Sequence, residues 1–147
     1  MITVYLYSDI FEKFKKFFNV DTYQESRFLY EIAYGFMPRK FEVTEEDSLI
    51  YDEEEDVAEM YFFADGIIGI GFSLVANGIS KENRHISKKL QCPQVVCDHY
   101  ALSNCKSRFI YMALLKEVRG FALNKQFLLE KIQPKFPEIF ARIRNES

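Results

Sequence analysis

Apolar residues recur at helical spacing near the start of the chain. Ser8-Asp9 is a cap-type pair, and Ile10, Phe11, Phe14, Phe17 and Phe18 follow it, with Lys13, Lys15 and Lys16 on the opposite face. A second amphipathic pattern places Phe28, Leu29, Ile32, Ala33 and Phe36 on one side, after the capping-box stretch Thr22-Tyr-Gln-Glu25. Pro38 ends it, because proline disfavours helical geometry in the residue before it. The pattern then shortens. Residues 38–78 carry short apolar runs, β-formers and turn pairs at Asp65-Gly66 and Asn77-Gly78, both of which predict hairpins. The acidic run Asp52 to Asp56 reads as a solvated loop between strands. It lacks the alternating ligands and central glycine of a calcium loop. Residues 79–94 read as a loop and a short strand. Strand signals return at Val95-Val96 and at Phe109 to Met112, and helical spacing resumes from Asn124, with Phe127, Leu128 and Ile132 on one face. Pro137 suits the first position of a last helix. Helices, then about eight short strands, then helices predict an α+β domain with an antiparallel β core.

The 147 residues suit one domain with a substantial core. Composition is that of a soluble globular chain, 48% hydrophobic, with fifteen Phe and nine Tyr but no Trp. A net charge of −3 argues against a nucleic-acid partner. No apolar run is long enough to span a bilayer, and the first residues lack signal-peptide features, so direct membrane insertion of this segment is not expected. Three cysteines without an export signal read as free thiols. No hydrolase constellation surrounds His85 or His99, so no enzyme is expected. Cys92, Cys97, His99 and Cys105 invite a zinc reading, but their spacing lacks close paired ligands, and no metal is expected.

Three blocks occur in order: Phe41-Glu-Val through Met60-Tyr-Phe-Phe-Ala-Asp-Gly66; Leu90 to Asp98; and Phe121-Ala-Leu123 with Phe127 and Phe136-Pro-Glu138. They resemble the cyclic-nucleotide-binding domain family, in particular the cytoplasmic domains of cyclic-nucleotide-gated, hyperpolarization-activated and ether-à-go-go channels. The resemblance implies an antiparallel, jelly-roll-like β-roll flanked by N-terminal and C-terminal helices. It divides the chain into linker-like helices at 1–38, a β-roll with its phosphate cassette at 39–123 and C-terminal helices at 124–147.

In that family a Phe-Gly-Glu run opens the cassette, and an arginine nine residues after the glutamate pairs with the phosphate. A forked guanidinium suits that role, and a carboxylate accepts from the ribose hydroxyl. Val96-Cys97-Asp98 matches Phe-Gly-Glu in position. Asp98 keeps the carboxylate, whereas Cys97 puts a side chain where a glycine lets the backbone approach. Ser107 stands nine residues on, Arg108 comes one place late, and Phe109 takes an alanine position. Lys106 offers a looser cation, and His99 could line the pocket. Pro93, Glu46, Asp47, Glu54 and Val57 also occupy glycine or proline positions of the family's turns.

Two readings of the cassette stay open. In one, cAMP or cGMP binds with Asp98 on the ribose and Arg108 on the phosphate. In the other, a degenerate pocket sits in a domain that keeps its fold and its mechanical role. Loss of the phosphate arginine removes several kcal/mol from the roughly 8 kcal/mol of micromolar affinity. The resemblance implies a regulatory domain of a potassium channel, on the cytoplasmic side of a membrane, assembled as a homotetramer and working through the pore linker. No cofactor is implied. The alternative is a soluble cyclic-nucleotide sensor such as a protein-kinase regulatory subunit, which would call for tandem cassettes and an inhibitory basic segment.

Overall fold

The structure is a computed structural model that describes residues 8–18, 23–44, 48–73 and 84–147. Two short helices, α1 (Ser8–Lys13) and α2 (Lys15–Phe18), precede α3 (Tyr23–Ala33). The strands are β1 (Met37–Glu42), β2 (Leu49–Tyr51), β3 (Glu59–Ser73), β4 (Arg84–Gln91), β5 (Gln94–Val96) and β6 (Ile110–Asn124). Helix α4 (Asp98–Ser103) lies between β5 and β6. One α turn, α5 (Lys125–Phe127), runs into a π turn at Leu128–Ile132, and α6 (Pro137–Glu146) follows.

β3 and β6 form the spine, antiparallel from Glu59↔Asn124 to Gly71↔Ile110. β5 and then β4 line the free edge of β3, while β1 and β2 line the free edge of β6. The described residues thus form six strands. β3 and β6 are 15 residues each, and each does the work of two shorter strands by bending. Asp65-Gly66, expected as a hairpin, is that bend in β3. The register shifts there, and pairing with β6 continues on both sides. Gly66 supplies a φ of +117°, and a Cβ on it would sit 2.6 Å from the Glu117 carbonyl oxygen. A glycine at a bulge and a glycine in a turn answer the same demand for positive φ, so the pair reads identically in sequence. The matching bend in β6 holds Leu115 at φ +67° with 75% of its surface exposed. The second expected hairpin, Asn77-Gly78, and the capping residue Thr22 lie outside the described residues.

Both faces of β3 are covered, which explains its unbroken apolar run Met60 to Phe63. On one face the fully buried Phe62 ring meets Phe14 and Phe17 edge-on at 5.3 Å and stacks on Phe18 at 5.3 Å, with Phe36 at 5.6 Å. On the other face, Tyr61 and Phe63 stack at 4.9 Å, and Phe41 abuts both. Pro38 falls inside β1, where it is tolerated because β1 pairs only with β6. Asn124 caps the C-terminal segment, its Oδ1 accepting from the amides of Gln126 (2.7 Å) and Phe127 (3.3 Å). Pro137 is the first residue of α6. That helix buries Phe140 and Ile143, and Arg142 Nη2 donates to the Phe18 carbonyl (3.3 Å), joining the last helix to the first ones.

Two substitutions test this arrangement. Phe62→Ala should cost about 3–5 kcal/mol, because it empties the site where four rings converge. Leu115→Gly should raise stability by about 0.5–1 kcal/mol. It removes left-handed strain from an exposed side chain, against the entropy a glycine adds to the unfolded state. Urea denaturation midpoints at constant m-value read both.

Candidate functional site

β5 delivers the chain into α4 through Cys97, and the corner is tight. Cys97 sits at φ +64° and ψ +14°, in the left-handed region, and its side chain is buried. The conformation is the one that favours glycine, kept here with a thiol attached. Glu54, which the resemblance sets at a glycine or proline position, is held at φ +64° in the same way. Val57 is fully buried, and Glu46 and Asp47 lie outside the described residues.

Asp98 opens α4, half-buried. Burial lifts its carboxyl above the usual carboxylate range, although the amides of Asp98 and His99 and the His99 ring pull the other way. His99 points to solvent beside the Tyr100 ring. Cys105 and Lys106 are exposed, and the backbone of Lys106 forms an isolated antiparallel β-bridge with that of Asp56. Ser107 is fully buried. Its Oγ donates to the Phe109 carbonyl at 2.7 Å, its amide donates to Glu55 O at 2.9 Å, and its carbonyl accepts from the Glu54 amide at 2.7 Å. Arg108 is exposed and makes no ion pair among the described residues, while Phe109 is 43% exposed. No hydrogen bond or ion pair joins Asp98 to Arg108 among the described residues. The inward position next to Arg108 belongs to Ser107, whose polar atoms are all satisfied within the chain.

The acidic run does more than solvate itself. Glu54, Glu55 and Asp56 expose their side chains as expected, yet the backbone of this loop clamps Ser107. Asp52 pairs with Arg84 at 3.4 Å, and Glu53 accepts from the Ser73 amide. Sequence reasoning also passed over four tyrosines. The Tyr111 hydroxyl donates to Tyr100 at 3.2 Å, and the Tyr61 hydroxyl donates to Tyr51 at 3.4 Å. Tyr51 accepts from the amides of Ala58 and Glu59. All four rings are buried, and burial drives the phenols of Tyr51, Tyr61 and Tyr111 upward, so they stay protonated. Tyr100 lies on α4 itself, and a large residue two places after the cassette carboxylate was the available signal.

Among the described residues no group of three or more His, Cys, Asp or Glu side chains converges, so Cys92, Cys97, His99 and Cys105 form no ligand set. The thiols are free. Burial raises Cys97 well above the ordinary range and, with the charge of Asp65, raises Cys92 to about 11, which leaves both unreactive. No helix of the described residues is long and apolar enough to cross a membrane.

No protein-family model and no curated protein matches the chain. Solved structures share its fold. The regulatory domain of Toxoplasma gondii PKA with cAMP has a TM-score of 0.67 at 11% identity, over 98% of this chain and 49% of that one. A protein of Geobacter metallireducens described as cyclic-nucleotide-binding gives 0.64 at 15%, over 88% and 83%. The regulatory subunit of a cAMP-independent protein kinase A from Trypanosoma brucei gives 0.63 at 14%, over 97% and 46%. The chain spans about half the length of the two kinase regulatory structures. A variant of the trypanosome subunit was solved with cAMP in its A site; in it a glutamate is changed to alanine, a threonine seven residues on to arginine, and the adjoining valine to alanine. The architecture is the cyclic-nucleotide-binding β-roll, α+β, with helices on its flanks, and the two kinase neighbours are a regulatory domain and a regulatory subunit.

The buried carboxyl gives a pH-dependent prediction. Folding favours protonated Asp98, so that contribution is fully present below the unfolded value of about 3.9 and is lost as pH rises through the higher folded value. Asp98→Asn should therefore be more stable than the parent at pH 7, with the difference closing at about pH 3.5. Urea midpoints at the two pH values measure it, and equal midpoints at pH 7 would count against a desolvated carboxylate.

Proposed function

We propose that the chain is a regulatory module of the kinase-regulatory-subunit kind whose phosphate cassette does not take up a cyclic nucleotide. The observation that carries this is Ser107. It stands where the family's phosphate-binding arginine belongs, fully buried and with its hydroxyl committed to the Phe109 carbonyl. A cyclic phosphate entering the cassette would meet no fixed inward cation, and Cys97 would crowd the approach to the backbone. Arg108, exposed and one position away, provides charge without the forked, preorganised geometry that gives arginine–phosphate pairs their strength.

Spacing supports the same reading. The three positions altered in the cAMP-bound trypanosome variant are separated by seven residues and then one. Tyr100, Ser107 and Arg108 have that spacing here, and this chain carries a buried aromatic ring, a serine and a misplaced arginine at them. The unaltered subunit is named cAMP-independent. A module of this kind acts through protein contacts made by its helices and roll, without a catalytic group of its own. The gating role in a channel homotetramer, implied by the resemblance of sequence blocks, has no counterpart in these neighbours, so the kinase-regulatory reading replaces it.

Titration calorimetry with cAMP and cGMP should give no saturable heat up to about 1 mM ligand, and micromolar binding by the unaltered chain would overturn the proposal. The triple variant Tyr100→Ala/Ser107→Arg/Arg108→Ala, checked for folding by circular dichroism, should gain measurable cAMP binding.

A further inference from the structure

The N-terminal helices do more than cover Phe62. Between α1–α2 and β5 they leave an open cleft of about 730 Å3. Its rim carries Lys13, Lys15 and Lys16, all exposed, and its floor is apolar, made by Phe14, Phe17 and Val95. A smaller cavity of about 220 Å3 shares Lys16 and Phe17 and continues the cleft to Ile143 on α6. Glu12 lines the cleft and Glu146 the smaller cavity.

The charges here are clustered in sequence. Arg39, Lys40, Arg84, Arg119 and Lys135 each hold an acidic side chain within 4 Å, whereas other cations, Lys88, Lys89 and Arg108 among them, make no ion pair among the described residues. Lys13, Lys15 and Lys16 hold none among the described residues, although they crowd into four consecutive positions. Three lysines within four positions thus stand around one cleft with apolar lining, and Glu12 is the one acidic side chain beside them among the described lining residues. Like charges so close repel one another, and an acidic occupant would relieve that.

We propose that this cleft docks an acidic segment of a partner protein, anchored by an aromatic or aliphatic side chain on the Phe17–Val95 floor. The recessed floor suits side chains inserted from a partner, with the lysines as a polar rim that steers association. A lipid surface would call for apolar groups that protrude, and here they lie below the lysines. The cleft has none of the residues Cys97 to Phe109 in its lining, although Val95 on its floor lies two positions before Cys97.

The probe is a fluorescein-labelled peptide of sequence Glu-Glu-Phe-Glu-Glu-Leu, followed by fluorescence anisotropy at low ionic strength. Saturable binding is expected. It should weaken about tenfold in Lys13→Glu/Lys16→Glu and as salt is raised. Lys88→Glu/Lys89→Glu, on exposed positions of β4, should leave it unchanged. Both changed lysines of the cleft are exposed, and Lys13→Gln/Lys16→Gln provides a milder variant with the same expected direction. Absence of saturable binding would overturn the proposal, as would an equal loss in the β4 variant. Equal affinity for an all-glutamate peptide would show attraction without an anchor and would also overturn it. Lysine-dependent binding to phosphatidylserine vesicles without binding to the peptide would assign the face to a membrane instead.

Discussion

The antiparallel pairing of β3 with β6 runs from Glu59↔Asn124 to Gly71↔Ile110 and brings residues far apart in the chain into one register. Every other strand is an addition to one of these two. Each must bend to close the roll, and the bend is concentrated where Gly66 faces the Glu117 carbonyl and where Leu115 turns left-handed. The bulge in each strand absorbs the change of direction, so the ladder survives on either side. Because β3 is buried on both faces, the same four residues, Met60 to Phe63, serve the helical layer and the interior of the roll at once.

That shared strand links the helices to the cassette. Phe62 gathers Phe14 from the α1–α2 junction, the rings of α2 and Phe36 of the α3–β1 connection, and its neighbours Tyr61 and Phe63 face the interior where Tyr51 and Phe41 pack. β5 pairs with this same stretch before turning into α4. The cassette corner is thereby anchored on the most buried part of the molecule. Its backbone turns at Cys97, held left-handed, and Ser107 is sealed inside. The fold rests on strand pairing and ring packing spread over many residues. In the proposed reading, phosphate chemistry rests on one side chain.

Much of this was legible in residue order. Helical spacing placed α1–α3, the cap at Asn124 and Pro137 at the head of α6, since capping and amphipathic spacing are local. The three blocks of family resemblance set out the roll, and the one-residue offset of Arg108 from the family's arginine position is what that resemblance implies. Asp65-Gly66 could not be read as a bend, because a bulge and a turn ask the same of a glycine. The acidic run could not be read as a clamp either, because its work is done by backbone groups of Glu54 and Glu55.

By itself the sequence determined the fold class and the order of N-terminal helices, β core and C-terminal helices, while α4 and the full length of β4 went unread. Fold class and order depend on residue type and spacing along the chain. Only the tertiary structure decided that Ser107 is sealed inside while Arg108 faces solvent, that Tyr100 meets Tyr111 in the interior, and that three lysines rim an apolar cleft against β5. Those facts depend on which face a side chain takes when strands far apart in the chain pair, and a shift of one residue in that register reverses the answer.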